Sequence, residues 1–140
     1  MRKLSVITLG VSNLERSIRF YELALELKRI PFDSDSIAFF DLDGPRLALY
    51  SKVALAEDAG ISLEGQGFSG ITFARNVGSS AEVVELLQRS VSAGGTLVKP
   101  GQPVFWGGFS GYYADPDGCL WEIACDSESY SKEIAAIAAT

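Results

Sequence analysis

One pattern organises the chain: a strand, a capped amphipathic helix and further strands, run through twice. Leu4–Val11 reads as a strand, and Ser12-Asn13-Leu14-Glu15 as a capping box, a hydroxyl followed three residues on by Glu. Leu14, Ile18, Tyr21 and Leu25 then recur at helical spacing until Pro31 closes the element. Lys28–Phe32, Ser36–Leu42 and Arg46–Tyr50 are strand-like, with Asp43-Gly44 as a tight turn between the last two. The pattern restarts with a strand at Gly70–Ala74 and a second box, Ser79-Ser80-Ala81-Glu82. Val83, Leu87 and Val91 give the helical stripe, which Gly94-Gly95 ends. Strands follow at Thr96–Lys99, Phe109–Ala114 and Cys119–Ala124, the last two joined by Asp115-Pro116-Asp117-Gly118, where Pro sets φ and Gly supplies a positive one.

The expected fold is therefore α+β: two tandem βαβββ units forming a curved, partly closed mixed sheet around a cavity, helices outside. The expected domain runs over 1–128, with repeat one at about 4–50, a linker at 51–66 and repeat two at about 67–125. Residues 129–140 carry Tyr130, Ile134 and Ile137 at helical spacing and read as a terminal helix, docked on this chain or on a partner.

Composition narrows function. At 140 residues and 47% hydrophobic the chain suits one domain with a real core, which excludes disorder. No apolar run approaches the ~18 residues of a membrane span. Twelve basic against eighteen acidic residues, a net charge of −6, disfavour nucleic acid and anionic membranes as partners. There is no histidine. That removes Ser-His-Asp and Cys-His catalysis, histidine zinc sites and the two-His-one-carboxylate iron site, leaving acid–base work to carboxylates, Tyr, Lys or Cys. Cys119 and Cys125 sit at opposite ends of one strand, out of each other's reach, and read as free thiols in a reducing cytoplasm. The opening Met1-Arg2-Lys3-Leu4-Ser5-Val6 leads straight into a strand pattern, unlike a secretory signal.

These features resemble the vicinal oxygen chelate superfamily of glyoxalases, extradiol dioxygenases, and fosfomycin and bleomycin resistance proteins. The matching pieces are Val6-Ile7-Thr8-Leu9-Gly10-Val11, Ser12-Asn13-Leu14-Glu15-Arg16-Ser17 and Phe20-Tyr21, then Tyr113-Ala114-Asp115-Pro116-Asp117-Gly118 and Glu122-Ile123. Trp106-Gly107-Gly108-Phe109-Ser110-Gly111-Tyr112 is similar to a bacterial branch of it. The resemblance implies a homodimer. It also implies four sheet positions that supply metal ligands in the metalloenzymes, commonly His, Gln or Glu. Here they fall on Val6, Ala48, Gly70 and Glu122. Only Glu122 can bind a metal, far short of the three or four protein ligands a catalytic site needs. No cofactor is expected.

The site candidates follow from strand alternation. Leu120, Glu122 and Ala124 share the cavity face, as do Ser110, Tyr112 and Ala114, while Trp121 and Ile123 point to the helices. The resemblance adds that fosfomycin-type relatives contact ligand from the positions of Ser110 and Tyr112. Arg46 and Tyr50 share the parity of Ala48 and reach the same face, with Arg46 a natural partner for Glu122 or a ligand carboxylate. Trp106, beside two glycines, can stack on a flat ligand. A cavity so lined suits capture of a small aromatic or cationic molecule without metal, in the manner of a bleomycin resistance protein. The second reading is a lyase- or dioxygenase-type enzyme in which Glu122 and Tyr112 are catalytic, with or without a non-classical metal site drawing on Asp41 or another subunit.

Overall fold

The computed structural model describes residues 4–65, 67–69 and 71–139. The chain forms two compact units, residues 1–69 and 70–140. The first holds β1 (Val6–Val11), α1 (Leu14–Ala24), β2 (Arg29–Ile30), β3 (Ile37–Asp41), β4 (Arg46–Ser51) and α2 (Lys52–Ala59). The second repeats the order with β5 (Thr72–Val77), α3 (Ser80–Ser92), β6 (Thr96–Pro103), β7 (Phe109–Ala114), β8 (Leu120–Cys125) and α4 (Ser127–Ala138). The strands divide into two open four-stranded mixed sheets, β1-β4-β3-β2 and β5-β8-β7-β6. In each, the first strand pairs parallel with the last and the other pairings are antiparallel. The α+β class and its tandem units are as the repeat implies.

In each unit the first helix, α1 or α3, covers one face of the sheet. In the first unit Phe20, Tyr21 and Ala24 of α1 are buried with Ala38, Phe40, Leu47 and Leu49 of the sheet, and Phe20 meets Tyr21 edge-on at 5.1 Å between ring centroids. In the second, Val83, Leu86 and Leu87 of α3 are buried with Tyr113, Trp121 and Ile123. Tyr113 and Trp121, paired across β7 and β8, lie with rings 3° from parallel, and Phe73 of β5 extends the aromatic row. A Cβ on Gly111 would sit 2.6 Å from Leu87 Cδ1, so glycine there lets α3 settle onto the sheet. Burial of each large side chain contributes roughly 1.5–3 kcal/mol.

Several boundaries differ from the pattern in the sequence. The cap of α1 is Asn13, whose Oδ1 accepts from Arg16 N at 3.0 Å, while Ser12 Oγ accepts from the Arg16 guanidinium. Helix α1 ends at Leu25, with Glu26 in the left-handed region, well before Pro31. In the second box Ser79 Oγ accepts from Glu82 N, while Glu82 accepts at 2.6 Å from the N–H of Gly78 rather than from that of the cap. Residues 51–66, read as linker, contain α2, started by Ser51 Oγ on Ala54 N and stopped by Gly60 at φ 72°. Its alanine-rich sequence favours helix but sets no apolar stripe, so periodicity passes over it. Strand β6 continues past Lys99 to Pro103 through two register shifts, which let a strand run on beyond a break in alternation.

The turn at 115–118 is held by buried Asp115, whose Oδ1 accepts from Asp117 N and Cys119 N at 2.9 and 2.8 Å. Helix α4, capped by Asp126 on Ser129 N at 2.7 Å, docks on its own unit. Tyr130 lies 5.4 Å from Phe109, ring to ring, and Glu133 accepts from both the backbone N–H and the hydroxyl of Ser80 at the start of α3. Those hydrogen bonds hold the Glu133 carboxyl below its ordinary range, against a smaller opposing effect of burial. A carboxyl lowered in the folded state stabilises above its unfolded pKa and loses that stabilisation as pH falls through the folded value. Docking of α4 is therefore expected to hold down to about pH 4.3, the ordinary glutamate value, and to fade below it. Amide exchange over residues 128–138 checks this, and Glu133→Gln should flatten the acid dependence.

Candidate functional site

Because each helix covers one face, alternate residues of every strand line the other. On the second sheet the pairing builds this open face in rows. Ala74, Glu122, Tyr112 and Lys99 form one row across β5, β8, β7 and β6, and Asn76, Ala124, Ser110 and Gln102 form the next. Lys99, Gln102 and Asn76 add polar groups to the Glu122, Tyr112 and Ser110 expected on this face. Glu122 and Tyr112 are directly opposed on neighbouring strands and both half-buried. Burial first, and then the nearby Glu122 carboxylate, push the Tyr112 phenol above its ordinary value. Tyr112 therefore stays neutral and able to donate a hydrogen bond at physiological pH. Ser110 is buried beside them, 3% exposed. Lys99 is exposed; its place in this row escaped sequence reading because the β6 bulges break simple alternation.

Trp106 lies in the hairpin joining β6 to β7, closed by Val104 N on Gly108 O and Gly107 N on Val104 O, each 3.0 Å. Its indole folds back over Gly108, where a Cβ would overlap the ring and the Cys125 carbonyl. Trp106 remains 41% exposed, and Phe105 beside it is fully exposed. Gly108 thus leaves room for the indole on the backbone, while Gly107 supplies the turn's positive φ of 94°.

Arg46 and Tyr50 lie in the first unit, on the open face of its own sheet. Arg46 is exposed and stands between Val6 of β1 and Asp41 of β3; Tyr50 stands between Gly10 and Ile37. Asp41 Oδ1 accepts from Asp43 N at 2.9 Å. The thiols are free, Cys125 buried and Cys119 half-buried, and burial pushes Cys119 up to about 12, which leaves it unreactive.

The family's metal positions do not form a cage. Val6 is 42% exposed opposite Arg46, Ala48 is buried between Thr8 and Phe39, and neither side chain has a donor atom. Gly70 lies outside the described residues. Among the described residues no three His, Cys, Asp or Glu side chains cluster to hold an ion. Glu122 alone does not fit the three or four ligands such a centre needs.

Fold and sequence together define the class. The family model of the Glyoxalase/Bleomycin resistance protein/Dioxygenase superfamily matches residues 3–123, and the chain belongs to that superfamily. A glyoxalase-related enzyme from Fulvimarina pelagi is 38% identical, with a TM-score of 0.83 over 90% of this chain and 89% of its own. A glyoxalase/bleomycin resistance protein/dioxygenase family enzyme from Burkholderia phytofirmans PsJN shares the fold at 17% identity, TM-score 0.80, covering 89% of this chain and 98% of its own. Lactoylglutathione lyase from Agrobacterium tumefaciens does so at 21% identity, TM-score 0.63, covering 89% and 94%. Among curated proteins none matches significantly. No helix among the described residues is long and apolar enough to cross a membrane.

Gly108→Ala is expected to expel the Trp106 indole and to cost roughly 1–3 kcal/mol, as overpacking does. A red shift in tryptophan fluorescence with a lower urea midpoint checks it.

Proposed function

We propose that this protein binds a small organic ligand, aromatic or cationic, on the open face of its second sheet without a metal ion. The observation that carries the reading is the direct opposition of Tyr112 and Glu122 on that face. The donor-poor family positions Val6 and Ala48 support its metal-free character. Tyr112 offers a ring to stack on and a neutral hydroxyl; Glu122 accepts from a cation or hydroxyl; Ser110 adds a short hydrogen-bonding group. Trp106 supplies a further aromatic surface at the β6–β7 hairpin. Arg46 and Tyr50 are the ligand-contact candidates on the first sheet. In this reading the protein acts in the cytoplasm as a homodimer, with no cofactor.

A second reading is favoured by the 38% identity to a glyoxalase-related enzyme. In it Glu122 moves a proton as general base and Tyr112 donates to the oxygen on which charge develops, a lyase- or dioxygenase-type reaction.

Two measurements separate these. Protein purified without chelator is expected to hold less than stoichiometric Ni, Zn, Mn and Fe; a full complement of tightly held ion turns the balance to catalysis. A thermal-shift panel of aromatic cations and natural-product antibiotics is expected to yield ligands that raise Tm, because a ligand of the native state alone stabilises by mass action, about 2.7 kcal/mol at a hundredfold excess over Kd. Glu122→Gln should weaken binding only about tenfold, the loss of one charge-assisted contact, whereas a catalytic Glu122 would take all turnover with it.

A further inference from the structure

The two units provide an internal control for the open face. Thr8 and Ala74 occupy the same place in β1 and β5, three residues before the strand ends and the helix cap follows. From those anchors the pairing equates Ala48 with Glu122, Phe39 with Tyr112 and Ile30 with Lys99. The first sheet builds its row as Thr8, Ala48, Phe39 and Ile30, with no ionisable group at any position. The second builds the same row as Ala74, Glu122, Tyr112 and Lys99. A sheet of this connectivity therefore forms without the two charges.

Nor do the charges serve a local structural purpose. Among the described residues neither the Lys99 ammonium nor the Glu122 carboxylate enters a hydrogen bond or an ion pair. Lys99 and Glu122 stand two strands apart, about 10 Å at the usual strand spacing, with the Tyr112 ring between them. The neighbouring row, Gln102, Ser110, Ala124 and Asn76, carries no charge. Opposite charges held apart on one face, with an aromatic between, complement a flat molecule carrying the reverse charges at its two ends.

We propose that Lys99 and Glu122 bind the two ends of one ligand, a flat zwitterion whose ammonium meets Glu122, whose carboxylate meets Lys99 and whose ring lies on Tyr112. This rests on the open face of the second sheet being the ligand site, and it narrows the ligand from aromatic or cationic to doubly charged. Lys99 becomes a specificity residue: it favours compounds that carry a carboxylate at the far end over those that present only a cation.

The test uses the whole protein and three probes: an aminomethyl-biphenyl carboxylate with amine and acid at opposite ends, its methyl ester, and its N-acetyl derivative. Titration calorimetry is expected to show the zwitterion binding about tenfold more tightly than either singly blocked compound, since a charge-assisted hydrogen bond is lost in each. Lys99→Met should reduce zwitterion affinity to that of the ester and leave the ester unchanged; Lys99 is exposed, so its replacement leaves the core intact. Glu122→Gln should reduce it to that of the N-acetyl compound, and added salt should narrow both differences. Equal binding of zwitterion and ester, unaffected by Lys99→Met, overturns the role of Lys99 while the site stands. Failure of all three probes to bind overturns the site itself.

Discussion

A parallel strand pair cannot be closed by a tight turn, and each half of this protein contains one: β1 with β4, and β5 with β8. The chain must leave the sheet after the first strand and return to it later, and in both units the crossing is made by an amphipathic helix. That helix settles on one face, so alternate strand residues beneath it must be apolar. Phe40, Leu47 and Leu49 meet the demand in the first unit, and Tyr113, Trp121 and Ile123 in the second. Glycine at 111 meets it by absence, since Leu87 occupies the space a side chain would need.

The opposite face answers to no such demand from the helix, and there the two units diverge. The first sheet carries Ala48, Phe39 and Ile30 where the second carries Glu122, Tyr112 and Lys99. At this level of the strands one scaffold thus carries an uncharged row in the first sheet and a charged row in the second. Membership of the Glyoxalase/Bleomycin resistance protein/Dioxygenase superfamily accounts for the scaffold, while among the described residues no three His, Cys, Asp or Glu side chains cluster as a donor set. The proposed recognition therefore rests on the side chains present, first among them the carboxylate and phenol opposed on β8 and β7.

Much of this was legible before any coordinates, for a physical reason. Capping residues and turn glycines act within a few positions, so Ser79, Gly94 and the turn at Asp115–Gly118 declare themselves locally. Alternation within a regular strand likewise placed Tyr112 and Glu122 on one face. Where local signals compete, the reading slipped. Asn13 took the capping role from the adjacent Ser12, and α2 formed from helix-favouring alanines without an apolar stripe. Lys99 was passed over because bulges in β6 reset its register against β7, and a bulge is chosen by the partner strand as much as by the strand that carries it. That Gly108 forms the floor on which the Trp106 ring rests was not legible either, because it depends on how the hairpin folds back on itself.

The sequence by itself therefore determined the repeat, the elements that make it, the helix-covered faces and the want of histidine, because these depend on periodicity, capping and residue chemistry within short stretches. Only the tertiary structure decided which side chains stand opposite one another: Glu122 with Tyr112, Tyr112 with Lys99, Arg46 with Asp41. Those partnerships are set by strand register, and register comes from long-range pairing and packing, where a shift of one residue turns every side chain to the other face.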